Sequence, residues 1–247
     1  MSPTVKHDNK AGRNEIESSL RCYSEEVDLA SFTFYSWKSI KNIIATDKDV
    51  LRAMNSNALS WGIILYSLEC SFFVTLGRIF DADPAAFSIF KLLQSCQTHI
   101  TDFSKSQLRL RKSILGLDPE SLDKYISSAY EPTAEDFRIL RKEVSKWTTL
   151  FQRIYQPIRH KLFAHKEIEI IESHHQLFNK TQIGQVQEML SFLHGVEQFV
   201  LELYQNGRKT NQSKFKCDDE DRTIKDIASL MDKIKRGYKL SQRYSAC

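Results

Sequence analysis

Glycine and proline are scarce in this chain, with 8 glycines and 5 prolines among 247 residues. Folds rich in β-strands need many tight turns, and these two residues supply the backbone angles that such turns require. Leu, Ile, Lys, Glu and Ser are common instead. The composition therefore predicts an all-α fold.

Cysteine is also uncommon, and its spacing forms no metal-binding or redox motif. There are 5 cysteines with no Cys-x-x-Cys pair, and their odd number prevents complete pairing. This usage argues against a zinc site and against a disulfide scaffold. It predicts reduced thiols in a cytoplasmic protein. The cysteines are Cys22, Cys70, Cys96, Cys217 and Cys247.

Long apolar runs are nearly absent. Residues 1–13 are polar, and therefore lack the apolar core of a signal peptide. The run from Trp61 to Gly77 is apolar, but Glu69 interrupts it. A spanning helix needs about 20 predominantly apolar residues. We therefore expect a buried core helix here and no membrane as a partner.

Several enzyme signatures are missing, namely the P-loop, the serine-hydrolase elbow and the dinucleotide-binding glycine turn. His174 and His175 have no partner at helical ligand spacing, and His160 and His165 do not form an H-x-x-x-H pair. We therefore expect neither a metal nor a cofactor. The net charge of +4 permits nucleic-acid binding without requiring it.

Apolar residues recur every three to four positions along most of the chain, as in amphipathic helices. Helices are expected over about 15–45, 47–80 and 88–115. Thr133 and Asp136 predict a capping box that starts another long helix, and Pro157 should kink or break that helix before Arg159. The predicted segments are a disordered N-terminus over 1–14, a helical bundle over 15–206, a linker over 207–222, and a C-terminal helix with its tail over 223–247.

Side chains suited to phosphate chemistry are concentrated between Arg159 and His165. An arginine can grip a phosphate through paired hydrogen bonds, and a histidine can exchange a proton near neutral pH. Together they could support metal-free RNA cleavage, in which the ribose 2′-hydroxyl attacks the phosphate. A solvated helix end explains the pair equally simply. On an ideal helix the two side chains would point about 120° apart, with about 9 Å between them along the axis. A shared site thus needs a distorted helix or two chains.

The segment from Arg159 to Ala164-His165 resembles the signature of the HEPN superfamily, whose members are small helical bundles that include many ribonucleases. Further stretches resemble its abortive-infection, AbiU-type branch. The resemblance covers roughly residues 25 to 208. These stretches are Leu76–Asp81 with Ser88-Ile89 and Leu92-Leu93 after it, Phe163–Lys166, and Leu203–Arg208.

The resemblance implies a HEPN-like up-and-down bundle with an added C-terminal helix. It also implies a homodimer whose two motif helices share one cleft, with RNA as the ligand. Arg159 would bind the scissile phosphate and His165 would act as general base or acid. His160, Lys161 and Lys166 would support them or bind phosphate. A buried ion pair or a helix cap is the expected role of Arg78 and Asp81, with support of the cleft as the alternative.

The expected function is a metal-independent endoribonuclease in antiviral abortive infection, or a toxin of that kind. One alternative is a helical dimer that binds RNA or a nucleotide without cutting it, and another is a helical protein-interaction module. An antitoxin or regulatory protein is a possible partner. The basic C-terminal helix is expected to be an unassigned surface helix, with a contact to such a partner or to RNA as the alternative.

Overall fold

A computed structural model of the chain describes residues 5–83, 85–114, 116, 118–159, 182–210 and 218–245. Every regular element in these residues is helical, and no strand occurs among them. The predicted all-α class is thus confirmed. Three of the cysteines, Cys22, Cys70 and Cys96, lie in the described part, and all three are free thiols.

Nine α-helices lie in the described residues, numbered here in chain order. A 3-10 helix at Ile100–Phe103 separates α4 from α5, and π-helical turns follow α7 at Phe151–Tyr155 and α8 at Glu202–Asn206. The helices are α1 (Val5–Thr46), α2 (Lys48–Asn55), α3 (Ala58–Ile79), α4 (Ile89–Thr98), α5 (Lys105–Ser113), α6 (Pro119–Ser128), α7 (Ala134–Leu150), α8 (Ile183–Leu201) and α9 (Asp218–Ser245).

Capping side chains set several of these helix ends. The Asp47 carboxylate accepts hydrogen bonds from the backbone amides of Asp49 and Val50, which confirms the predicted start of α2. Thr133 and Asp136 form the predicted capping box at the start of α7. Gly207 ends the π-helical turn after α8 with a left-handed backbone (φ 57°), as its place after Asn206 predicts.

Two of the predicted helices are divided in the structure. The pattern over 47–80 is interrupted at Ser56 and Asn57, between α2 and α3. The pattern over 88–115 is interrupted by the 3-10 helix, and Ser104 then caps α5. Serine and asparagine side chains compete with the helical backbone for its hydrogen bonds, so they favour caps and turns. The apolar period continues across such breaks, which explains why it predicted single helices.

The chain divides into two compact units. Unit 1 consists of Met1–Val27 and Gly77–Lys216, and unit 2 of Asp28–Leu76 and Cys217–Cys247. In unit 1, α4 packs on α7 and α5 packs on α6. The ring of Phe103 lies between those of Phe137 and Tyr204, at centroid distances of 5.3 and 5.4 Å. These buried rings connect three separate parts of unit 1.

The C-terminal helix α9 packs on α2 in unit 2. Its Met231 is 1% exposed and belongs to an apolar cluster with residues of α1 and α2. The ammonium group of Lys235 lies 2.6 Å from Asp47, and that of Lys239 lies 2.7 Å from Asp49. Part of the positive charge of this helix is therefore paired with α2.

Over its first half, helix α3 is partly buried on one face and exposed on the other. Trp61, Leu65 and Leu68 pack against the apolar cluster of unit 2. On the opposite face, Leu59 is 81% exposed and Ile63 is 58% exposed. The expected buried core helix is thus only partly correct. Helix α3 is long and apolar enough to cross a membrane. Core helices of soluble proteins often have the same length and composition, so these two properties are weak evidence for a membrane span.

Candidate active site

The predicted site is centred on Arg159, which the structure describes at the end of a helical stretch over 156–159. His160, Lys161, His165 and Lys166 lie outside the described residues, within 160–181. Their roles, and the distance between Arg159 and His165, therefore stay predictions. In the described residues, Arg159 follows the π-helical turn after α7 and lies against Gly77 of α3, and all of these lie in unit 1.

A widened helical turn precedes Arg159. In the π-helical turn Phe151–Tyr155, the amide of Gln156 donates its hydrogen bond to the carbonyl of Phe151, five residues earlier. Pro157 has no N–H group and its ring crowds the preceding turn, so a regular α-helix is disfavoured here. The predicted kink or break at Pro157 is thus a π-helical turn just before it, after which the helix continues to Arg159.

Aromatic packing holds this widened turn in place. The Phe151 ring stacks on Phe80, which follows α3, at a centroid distance of 5.2 Å. It also stacks on the fully buried Tyr155 at 6.4 Å. The Tyr155 hydroxyl donates a long hydrogen bond of 3.4 Å to the Gln185 side chain on α8. Burial raises the pKa of Tyr155 to about 12, so this phenol stays neutral and serves packing.

The Arg159 side chain lies directly against the backbone of α3 at Gly77. A Cβ atom at residue 77 would be 2.6 Å from Cζ of Arg159 and 2.8 Å from its Nε, whereas real Cβ atoms essentially never approach another heavy atom within 3.0 Å. Only a glycine leaves this space open. Gly77 thus allows the guanidinium to contact the helix.

Arg159 is partly exposed, and no described carboxylate forms an ion pair with it. The neighbouring guanidinium of Arg78 differs, because its Nη2 and Nε lie 2.8 and 2.9 Å from the Glu26 carboxylate. A partly buried arginine without a counter-ion in the described chain is suited to bind an external anion. The geometry therefore favours Arg159 over Arg78 as the phosphate-binding group.

The structure gives Arg78 and Asp81 separate local contacts. Arg78 forms the ion pair with Glu26 on α1, and this pair is partly exposed, with side-chain exposures of 46% and 26%. Asp81 accepts a hydrogen bond from the Asp83 amide at 3.0 Å and so stabilises the turn after α3. The expected ion pair is therefore present, although it is not buried, and the hydrogen bond of Asp81 lies in the turn and not at the end of the helix. Support of the cleft by these residues stays a prediction.

The stretch Leu203–Arg208 also has a structural role. The buried Arg111 donates 2.8 Å hydrogen bonds to the carbonyls of Asp102 and Tyr204, and its guanidinium lies over the Tyr204 ring. Lys112 donates to the Asn206 side chain at 2.8 Å. This stretch thus anchors α5, while Arg208 is exposed, as expected for a solvated cation.

Sequence reasoning missed three contributors to the site: Gly77, Glu26 and the π-helical turn. Gly77 could have been noticed, because a glycine inside an apolar helix costs stability and needs a packing reason. Pro157 indicated a distortion but not its form. Nothing in the local pattern indicates Glu26, which pairs with a residue 52 positions away.

The family model HEPN_AbiU2, described as AbiU2, matches residues 13–238. The match covers most of the chain, including the described part of the site, and confirms the resemblance noted from the sequence. No curated protein and no solved structure matches the chain.

Proposed function

Because the chain belongs to the AbiU2 family of the HEPN superfamily, we propose that it is a metal-independent endoribonuclease that acts in abortive infection, or as a toxin of that kind. The observation that carries the proposal is the position of Arg159. Its guanidinium is partly exposed, lies against Gly77, and has no carboxylate partner among the described residues. Such a group is available for a phosphate.

In the proposed reaction, Arg159 binds the scissile phosphate and stabilises the negative charge that grows on its oxygens. A general base removes the proton of the 2′-hydroxyl, whose oxygen attacks the adjacent phosphorus. The bond from phosphorus to the 5′-oxygen breaks, and a general acid protonates that oxygen. The products are a 2′,3′-cyclic phosphate and a 5′-hydroxyl end. We assign His165 to one of the two proton transfers, with His160, Lys161 and Lys166 assisting or binding phosphate.

Cleavage of total cellular RNA in excess chelator tests this proposal. The wild-type protein should produce discrete fragments, and Arg159→Ala should reduce the rate by about 10²–10³-fold, as loss of a charge-stabilising donor does. His165→Ala should reduce it by about 10²–10⁴-fold. Arg159→Ala should stay folded, since Arg159 is partly exposed, and circular dichroism checks the fold of both variants. Equal cleavage by wild type and both variants would contradict the assignment, and so would intact RNA in every lane.

The same observation also supports a second candidate, in which the protein binds RNA or a nucleotide without cutting it. An arginine without a counter-ion binds phosphate whether or not a proton-transfer group is nearby. Under this alternative, Arg159→Ala weakens RNA affinity, His165→Ala leaves it nearly unchanged, and no variant cleaves. Fluorescence anisotropy with a labelled RNA, run beside the cleavage assay, distinguishes the two candidates.

A further inference from the structure

The last turn of α3 carries a glycine where the Arg159 side chain lies against the helix. Gly77 is buried, and the Cβ positions given above show that the guanidinium occupies the space of a side chain at residue 77. Sequence reasoning placed Gly77 in a family-like stretch but assigned it no role. Its contact now connects it to the proposed phosphate-binding group.

A second glycine in the same helix provides a comparison. A Cβ atom at Gly62 would meet no other atom within 4 Å. Glycine weakens a helix relative to alanine at both positions, because it loses more backbone freedom on folding. At Gly62 alanine fits without any movement, whereas at Gly77 a neighbour must move. The two positions therefore separate the effect of helix propensity from the effect of the Arg159 contact.

The group that moves would be the guanidinium. The residues before it hold its main chain, since Tyr155 is fully buried and Ile158 is 2% exposed. The guanidinium is the far end of a flexible side chain, so it can leave its position without unfolding the helix. A displacement of about 1 Å at a reacting centre can lower the rate about 10²-fold. A methyl group at residue 77 would thus affect activity more than folding.

We infer that Gly77 is a positioning residue for Arg159: the absence of a side chain at this point of α3 sets where the guanidinium meets a phosphate. The catalytic consequence rests on the proposed ribonuclease function. The contact between Gly77 and Arg159 does not, so it is measured separately.

The activity test compares Gly77→Ala with Gly62→Ala, the same substitution in the same helix. Gly77→Ala should lower kcat and kcat/KM together, by about 10²-fold, because the lost interaction belongs to the transition state. Gly62→Ala should cleave RNA like the wild type. Equal activity of Gly77→Ala and wild type would overturn the inference.

The second test measures Tm and needs no activity. Arg159→Ala removes the atoms that the new methyl group would meet, so in that background Gly77→Ala should raise Tm as much as Gly62→Ala does. In the wild-type background it should raise Tm less, or lower it. The same change of Tm in both backgrounds would overturn the inference.

Loss of folding in both backgrounds would overturn it too, because the glycine would then be required by the backbone alone. If the wild-type protein cleaves no RNA but the two substitutions are coupled in Tm, the ribonuclease proposal fails while the positioning contact is supported.

Discussion

The carboxylate of Asp136, whose side chain is 4% exposed, connects the start of α7 to the segment after α8. Burial raises its pKa, but hydrogen bonds from Lys209, the Thr133 amide and the Tyr130 hydroxyl lower the pKa by a larger amount. The resulting pKa is about 2. The Lys209 ammonium lies 2.5 Å from one carboxylate oxygen. In the unfolded chain an aspartate titrates near 3.9, so folding favours the charged form.

This depressed pKa predicts a contribution to acid stability. The contribution is fully present above about pH 5, where Asp136 is charged in both states, and it is lost as the pH falls through the folded pKa of about 2. It amounts to about 2 to 3 kcal/mol in the free energy of unfolding. When urea unfolding is measured between pH 7 and pH 2, the free energy of unfolding should therefore decrease less for Asp136→Asn than for the wild type.

Lys209→Ala serves as the intermediate control. It removes one of the groups that lower the Asp136 pKa but keeps the bonds from Thr133 and Tyr130. As the pH falls, the free energy of unfolding of Lys209→Ala should decrease by an amount between those of the wild type and Asp136→Asn. An identical pH dependence in all three proteins would show that Asp136 titrates normally in the folded state.

At the scale of the element, the C-terminal helix α9 contributes to the core of unit 2. Met231 is 1% exposed, while the adjacent Leu230 is 44% exposed. Met231→Ala should lower the free energy of unfolding by about 2 to 5 kcal/mol, because it leaves a cavity among packed side chains. Leu230→Ala should cost less than about 1 kcal/mol.

Chemical denaturation followed by circular dichroism measures both values. Similar losses for the two alanine variants would mean that Met231 does not hold α9 in the core of unit 2. The alternative role of this helix, a contact with RNA or a regulatory protein, stays a prediction. Lys235 and Lys239 already pair with Asp47 and Asp49, so such a contact would depend on other cations of the helix.

The π-helical turn Phe151–Tyr155 changes the direction in which Arg159 points from its helix. Such a turn adds a residue to one helical turn, which rotates every later side chain by about 100° relative to a continuous α-helix. Arg159 thus points where an ideal α7 would not place it, toward Gly77. The calculated 120° between Arg159 and His165 on an ideal helix is unaffected, because the turn lies before both residues.

At the scale of the whole molecule, the proposed homodimer makes a prediction about mixed subunits. If the cleft combines Arg159 of one copy with His165 of the other, a dimer of Arg159→Ala with His165→Ala contains one intact site and one doubly defective site. Random mixing makes half of the dimers mixed, so about a quarter of the wild-type activity should return.

Co-refolding of the two inactive variants, followed by the RNA cleavage assay, measures this recovery. Each variant refolded with itself is the matched control. No recovery, with size-exclusion chromatography showing that mixed dimers have formed, would mean that each site uses residues of one chain. A monomeric wild-type protein that cleaves RNA would contradict the shared cleft.

The sequence by itself determined the local features of this protein. Scarce glycine and proline with an apolar period near 3.6 predicted helices. The predicted helix start at residue 47, the capping box of Thr133 with Asp136, and the predicted end of the bundle at residue 206 are confirmed at helix ends. These features depend on residues within one or two turns, so a linear pattern contains them. Short motifs in the sequence also indicated the family, and the match over residues 13–238 confirms it.

Only the tertiary structure decided which distant side chains meet. It paired Arg78 with Glu26, placed Arg159 against Gly77, and left one face of the first half of α3 exposed. Helical periodicity states which residues share a face but not what that face packs against, because the partner lies on a separate helix. Pro157 predicted that the helix would be distorted, but not that the distortion would be a π-helical turn. That form also depends on how Phe151 and Tyr155 pack, which the linear pattern does not contain.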